Sequence, residues 1–137
     1  MPITAHKALM QRLYEEAFNQ GNLSVVDELF SPTFRDLSTP AQSPGVAGVK
    51  SYIAAVREGF PDIHVTIEDM IVEADKIAVR TKWHGTHLGM YEGIAPTGKH
   101  VTRTMIQLFS LVNGKIAHEW VEGIGLEQAI KEPIRNS

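Results

Sequence analysis

The sequence predicts an α+β fold, a curved antiparallel sheet wrapped over N-terminal helices, on three observations. Apolar residues recur at helical spacing through roughly the first 60 positions. From His64 onward the period switches to two. Asn113-Gly114 between two alternating runs is a tight-hairpin signal. A bent sheet over helices leaves a half-closed cone with an apolar pocket between the layers.

Taken in order, Leu9, Leu13 and Ala17, widened by Met10, Tyr14 and Phe18, form the stripe of an amphipathic helix over 4–19, stopped by Gly21-Asn22. Ser24 and Asp27 have capping-box spacing and open a short helix through Phe30, which Ser31-Pro32 closes. Residues 35–45 hold Ser, Thr, Pro and Gly and read as a loop. Val49, Tyr52, Ile53, Val56 and Phe60 follow the helical repeat until Gly59 and Pro61 end it. His64–Val72 reads as a strand and Ala74-Asp75-Lys76 as a turn. Ile77–Thr86 is the next strand, with Ile77, Val79, Thr81 and Trp83 on one face and Ala78, Arg80, Lys82 and His84 on the other. A glycine-rich loop over 89–98 leads to a strand over Val101–Leu111. After the hairpin come a strand over Lys115–Glu122, a break at Gly123-Ile124-Gly125 and a short helix over Leu126–Lys131.

Composition narrows the function. The 137 residues imply one domain over 1–137. Thirteen Lys plus Arg against 16 Asp plus Glu give −3, with no basic run, so neither nucleic acid nor an anionic membrane is an expected partner. The absence of cysteine removes disulfides, thiolate nucleophiles and cysteine-ligated metals. No apolar stretch approaches the ~20 residues of a bilayer span, and the N-terminus lacks the order of a signal peptide. The expectation is a soluble cytoplasmic protein.

The run Trp83-His84-Gly85-Thr86-His87-Leu88-Gly89-Met90-Tyr91-Glu92-Gly93-Ile94-Ala95-Pro96-Thr97-Gly98-Lys99 resembles the G-T-H-x-G-x-[FYM]-x-G-[IM]-x-P-T-G signature of SnoaL-like polyketide cyclases. Asn113-Gly114-Lys115-Ile116 followed by Glu119-Trp120 is similar to their D-G-K-I and H-W. Phe18-Asn19-Gln20-Gly21-Asn22 and Phe30-Ser31-Pro32 resemble their opening helices. The resemblance spans nearly the whole chain and implies the cone-shaped barrel of the nuclear transport factor 2-like superfamily. It further implies a homodimer with one deep pocket per subunit, and a cofactor-free intramolecular aldol closure on an aromatic polyketide ester; the partner expected here is a small, largely apolar, carbonyl-containing molecule. In that family an aspartate removes the proton between two carbonyls and a histidine stabilises the enolate. Those positions fall here on Val121 and Gln107, neither of which accepts a proton at neutral pH.

The residues themselves suggest replacements. Positions two apart on a strand share a face, so Glu119 accompanies Val121, and Arg103, Met105 and Phe109 accompany Gln107. A glutamate in an apolar pocket is raised toward a useful base; Gln107 and Arg103 supply donors for an oxyanion. The plain alternative is a Glu119–Arg103 ion pair across a solvated face. A two-residue turn places Gln107 near Trp120 and Glu119 near Leu108, an offset that a bulge accounts for if the two share a face. Trp83, Trp120, Tyr14, Tyr52 and Phe60 read as core, some doubling as pocket wall with Met105, Phe109 and Val121. Asp36 is either a polar residue at the pocket mouth or a loop aspartate bonded to its own backbone. For a water-activating lyase or hydrolase, Asp36 and Glu122 are the second-carboxylate candidates.

His84 and His87 make an H-x-x-H, but residues three apart on a strand face opposite ways, so they read as loop and hairpin histidines, His100 and His118 as surface groups, and no metal is expected. Gly123-x-Gly125 is too short for a dinucleotide fingerprint, and no G-x-S-x-G occurs. Beside the enzyme stands a non-catalytic binding or assembly module on the same fold.

Overall fold

The computed structural model describes residues 3–38 and 45–132. Helix α1 (Ile3–Arg12) passes without a break into a π-helical segment (Leu13–Asn19), so the predicted first helix widens in its second half. The carbonyls that this wide end leaves over are taken up by Arg57, whose Nη1 donates to Phe18 O at 2.7 Å and Asn19 O at 2.9 Å.

Helix α2 spans Ser24–Leu29 and lacks the predicted capping box. Ser24 Oγ donates to Asn22 Oδ1 at 2.6 Å, and Asp27 accepts Lys50 Nζ at 2.7 Å, so both side chains are committed elsewhere. The chain then departs further from expectation. Phe30 opens a strand, β1 (Phe30–Asp36), where the sequence read the end of a helix and a loop. Pro32 is tolerated because β1 is an edge strand. Of the predicted loop, 39–44 lie outside the described residues. Helix α3 (Gly45–Gly59) follows, then β2 (His64–Glu73), β3 (Lys76–Thr86), β4 (His100–Val112), β5 (Lys115–Glu122) and α4 (Leu126–Lys131).

The sheet order is β1-β5-β4-β3-β2. Strands β2 to β5 are antiparallel, while β1 runs parallel to β5, so the sheet is mixed. Its inner face carries Ile77, Val79, Thr81 and Trp83 of β3, all buried, as the alternation requires. Two one-residue irregularities bend it: at Glu68 in β2 and at Ala117 in β5. Asn113 and Gly114 both have positive φ, 52° and 75°, as the β4–β5 hairpin needs. Trp120, read as core, lies on the outer face at 38% exposure, because the bulge at Ala117 turns it outward.

Polar clamps join helices to sheet. Asn19 donates to Val65 O at 3.0 Å and accepts Val65 N–H at 2.7 Å, joining the π segment to β2. Asp62 accepts the Thr86 N–H at 2.7 Å and hydroxyl at 2.8 Å. His87, expected in a loop or hairpin, is fully buried against Phe60, its Nδ1 accepting Thr97 N–H at 3.2 Å. No helix among the described residues is long and apolar enough to cross a membrane.

Gly89 sits where a Cβ would overlap the Glu58 carbonyl. Its N–H donates to Gly59 O at 3.0 Å, so the loop has no room to withdraw. Gly89→Ala is therefore expected to destabilise the fold by about 3 kcal/mol in denaturant unfolding, through overpacking against backbone.

Candidate active site

Between the helices and the inner face of the sheet lies a cavity of about 450 Å3. Each element contributes through its inward residues. The π segment presents Leu13, Tyr14 and Phe18, and α3 presents Val49 and Tyr52. Strand β1 gives Phe30, Phe34 and Asp36; β3 gives Trp83; β4 gives Met105 and Gln107; β5 gives Glu119 and Val121. Tyr91 closes one side, and the exposed Glu92 and Glu127 stand at the opening.

The aromatic wall is braced ring on ring. Phe18 meets the Trp83 ring edge-on at 4.9 Å between centroids, Tyr14 meets it at 6.3 Å, and Phe18 meets Tyr52 at 6.2 Å. The Trp83 indole nitrogen, a donor only, gives its hydrogen to Thr81 Oγ1 at 2.7 Å. The Thr81 hydroxyl passes its own to Gln107 Oε1 at 2.9 Å. This chain sets the amide orientation: the oxygen is spent on Thr81, and the NH2 is the end left for the cavity.

Two carboxyl groups meet at the edge of the sheet. Asp36 is the parallel partner of Glu119, and the strand pairing continues as Leu37 N–H donates to Glu119 O at 2.8 Å. Ser38 holds Asp36 in place: its N–H and hydroxyl reach Asp36 Oδ1 at 2.9 Å and 2.7 Å, and its Oγ accepts Val121 N–H at 3.1 Å. Asp36 thus combines both readings of it, bonding its local backbone and lining the cavity. Burial, and then the charge of Asp36, push the Glu119 carboxyl up to about 8. Burial raises Tyr14 well above its ordinary value, with Glu119 as the next cause. Tyr52 is raised by burial and by Tyr91, and Tyr91 is pushed up to about 12, chiefly by burial and then by Glu92.

Gln107 stands opposite Val121 and Phe109 opposite Glu119, one residue beyond the register that a plain two-residue turn would set. Arg103 does not join them. It lies six residues from Phe109 along β4, ~20 Å at strand rise, and pairs with Glu132 beyond α4. The alternative Glu119–Arg103 ion pair is thereby corrected, and Arg103 is no donor to this cavity. Phe60 and Phe109 are fully buried but pack outside the cavity wall. Glu122 is exposed. His84 lies beside His64 and His100 at 5.5 and 6.0 Å between ring centroids, away from buried His87. Among the described residues no group of three metal-ligating side chains is placed to hold an ion. The sequence reading missed Tyr91, which lay unweighed inside the glycine-rich run, and the parallel pairing that brings Asp36 to Glu119.

A half-cone of sheet closed by helices around an apolar, carboxyl-bearing hollow is the architecture of a known class. The chain belongs to the SnoaL-like polyketide cyclase family, whose model matches residues 8–127. It is 28% identical over 126 residues to the aklanonic acid methyl ester cyclase AcmA of Streptomyces galilaeus, covering 86% of this chain and 85% of that protein. It is 26% identical over 132 residues to the corresponding cyclase DnrD of Streptomyces peucetius, covering 91% and 90%. Among solved structures, TsrD from Streptomyces laurentii superposes with a TM-score of 0.86 at 25% identity, over 95% of this chain and 94% of that one.

Thr81→Val strands both the Trp83 N–H and the Gln107 oxygen in the interior, and should cost about 2–4 kcal/mol in denaturant unfolding. Glu119 has an ordinary value of 4.5 and is pushed up to about 8 when folded. Across that window the folded chain holds a proton the unfolded chain has lost, so the Glu119 contribution to stability falls as pH rises. Glu119→Gln should remove that decline, so that the melting temperature of the variant gains on the parent between about pH 5 and 8.

Proposed function

We propose that this chain is a cofactor-free acid–base enzyme acting on a small, largely apolar carbonyl compound, through proton abstraction beside the carbonyl. The observation that carries the reading is Glu119: a carboxyl in an aromatic-walled cavity, beside Asp36 and diagonal to Gln107 on the neighbouring strand. In its ionised form Glu119 takes the proton from carbon. A carboxylate this far above its ordinary range is a far stronger base than one in water. The electron pair moves onto the carbonyl oxygen, where the Gln107 NH2 donates to the developing charge. Val121 and Gln107, standing where the family resemblance aligns an aspartate and a histidine, make this a relocated version of the same chemistry. AcmA and DnrD are cyclases of an ester, and that kinship favours cyclisation of an aromatic, ester-bearing substrate.

The test uses phenylacetone as a carbon acid, with deuterium exchange at its methylene followed by NMR. The protein should accelerate exchange over buffer, with a rate that climbs about tenfold per pH unit and levels near pH 8, where Glu119 becomes ionised. Glu119→Gln should lower the enzymatic rate by about 100-fold or more. Asp36→Asn removes a neighbouring negative charge and should move the midpoint of the profile to lower pH. Undiminished exchange in Glu119→Gln removes that residue from the role of base. Ketone binding without exchange at any pH identifies a binding module instead.

A further inference from the structure

Among the described groups around the cavity, one buried polar atom has no counterpart. The Tyr14 hydroxyl is buried and makes no hydrogen bond, with the residue only 3% exposed. Its neighbours differ: Tyr52 and Tyr91 interact with each other, and Trp83, Thr81 and Gln107 form one chain of bonds. An unpaired buried hydroxyl destabilises the fold, and a phenylalanine there would avoid that cost with the same ring. The hydroxyl is also held in a built position. Tyr14 lies on the π-helical segment, a geometry that is rare and concentrated at functional sites. Its ring stacks on Phe18 at 5.8 Å and meets Trp83 edge-on at 6.3 Å, which leaves the hydroxyl little freedom to seek another partner.

We infer that the Tyr14 hydroxyl and the Gln107 NH2 together form a two-donor subsite for the carbonyl oxygen of the substrate, with Tyr14 as a catalytic hydrogen-bond donor. The assignment rests on the reading of Glu119 as the base. Among the described residues the cavity wall holds no lysine, arginine or histidine, so a negative charge growing on oxygen has the neutral donors to meet it. When Glu119 removes the carbon-bound proton, the electron pair reaches the oxygen, and the Tyr14 O–H and Gln107 N–H donate to it. No proton need leave either donor. The same wall sets the ligand class. Asp36, with Glu92 and Glu127 at the opening, repels a free carboxylate, so an uncharged ketone, ester or 1,3-dicarbonyl compound is accepted and its acid is rejected.

Benzoylacetone, an uncharged aromatic 1,3-diketone, is the probe, titrated by absorbance so that affinity and the enol band are read together. The parent protein should bind it with the enol band enhanced and should ignore the analogous benzoylacetate anion. Tyr14→Phe should weaken binding at least tenfold and lose the band enhancement, with a melting temperature equal to or above that of the parent. Site-specific 3-fluorotyrosine at position 14, a more acidic donor, should tighten binding. Parent-like affinity and spectrum in Tyr14→Phe, no response to fluorination, or no binding by the parent protein each overturn the subsite. Glu119→Gln keeps the two failures apart. If that variant still exchanges phenylacetone while Tyr14→Phe loses benzoylacetone, the base is wrong and the subsite stands; the opposite pattern removes Tyr14 and keeps the base.

Discussion

A single extra residue in β5 decides which way the last strand faces. Ile116 and Ala117 are both buried, and together they oppose Leu111 where the ladder shifts from Leu111↔Ile116 to Ser110↔His118. Because the side-chain period of a strand is two, a slip of one residue exchanges its faces. Without the bulge, Glu119 would stand opposite Leu108, on the outer side, and Trp120 would take its place within. With it, Glu119 opposes Phe109 and borders the cavity, Val121 opposes Gln107, and Trp120 meets solvent. The chemistry of this chain depends on that one irregularity.

What surrounds Glu119 makes the placement consequential. Burial alone would raise its carboxyl, and the parallel edge strand adds a second carboxyl at the same level, so that the two cannot both ionise cheaply. Ser38 restrains Asp36 and, through Val121 N–H, ties it to the strand that carries Glu119. The hollow itself stays open because the helices are held from outside it. Arg57 grips the end of the π segment and Asn19 pairs with the β2 backbone, so the aromatic residues between them line a space instead of collapsing into it. The donors show the same economy. Thr81 uses the obligate donor of Trp83 to orient Gln107, leaving the useful end of the amide inward.

Much of this was legible along the chain. The switch from helical to alternating periodicity at His64 placed the four antiparallel strands and both faces of β3, because binary patterning records which side of an element is buried. Asn113-Gly114 announced its hairpin, since both positions need positive φ. Gln107 was found at the position of the family histidine, and Glu119 by sharing a strand face with Val121, the position of the family aspartate. Three features escaped. Strand β1 was hidden because its partner is about 86 positions away and its Pro32 reads as a stop. The capping box failed because Asp27 serves Lys50. Arg103 was grouped with Gln107 by face alone, which ignores distance along the strand.

By itself, then, the amino-acid order determined the helices, the four antiparallel strands, the two faces of β3, the family signature and a shortlist containing Glu119, Gln107, Asp36 and Tyr14. These are local properties, expressed through periodicity and turn geometry within a few residues. Only the tertiary structure decided that Asp36 lies against Glu119, that Arg103 belongs to Glu132, and that the Tyr14 hydroxyl is left without a partner. Each of those outcomes depends on strand register and on contacts between segments far apart in the chain, where one bulge or one parallel pairing changes which side chains meet.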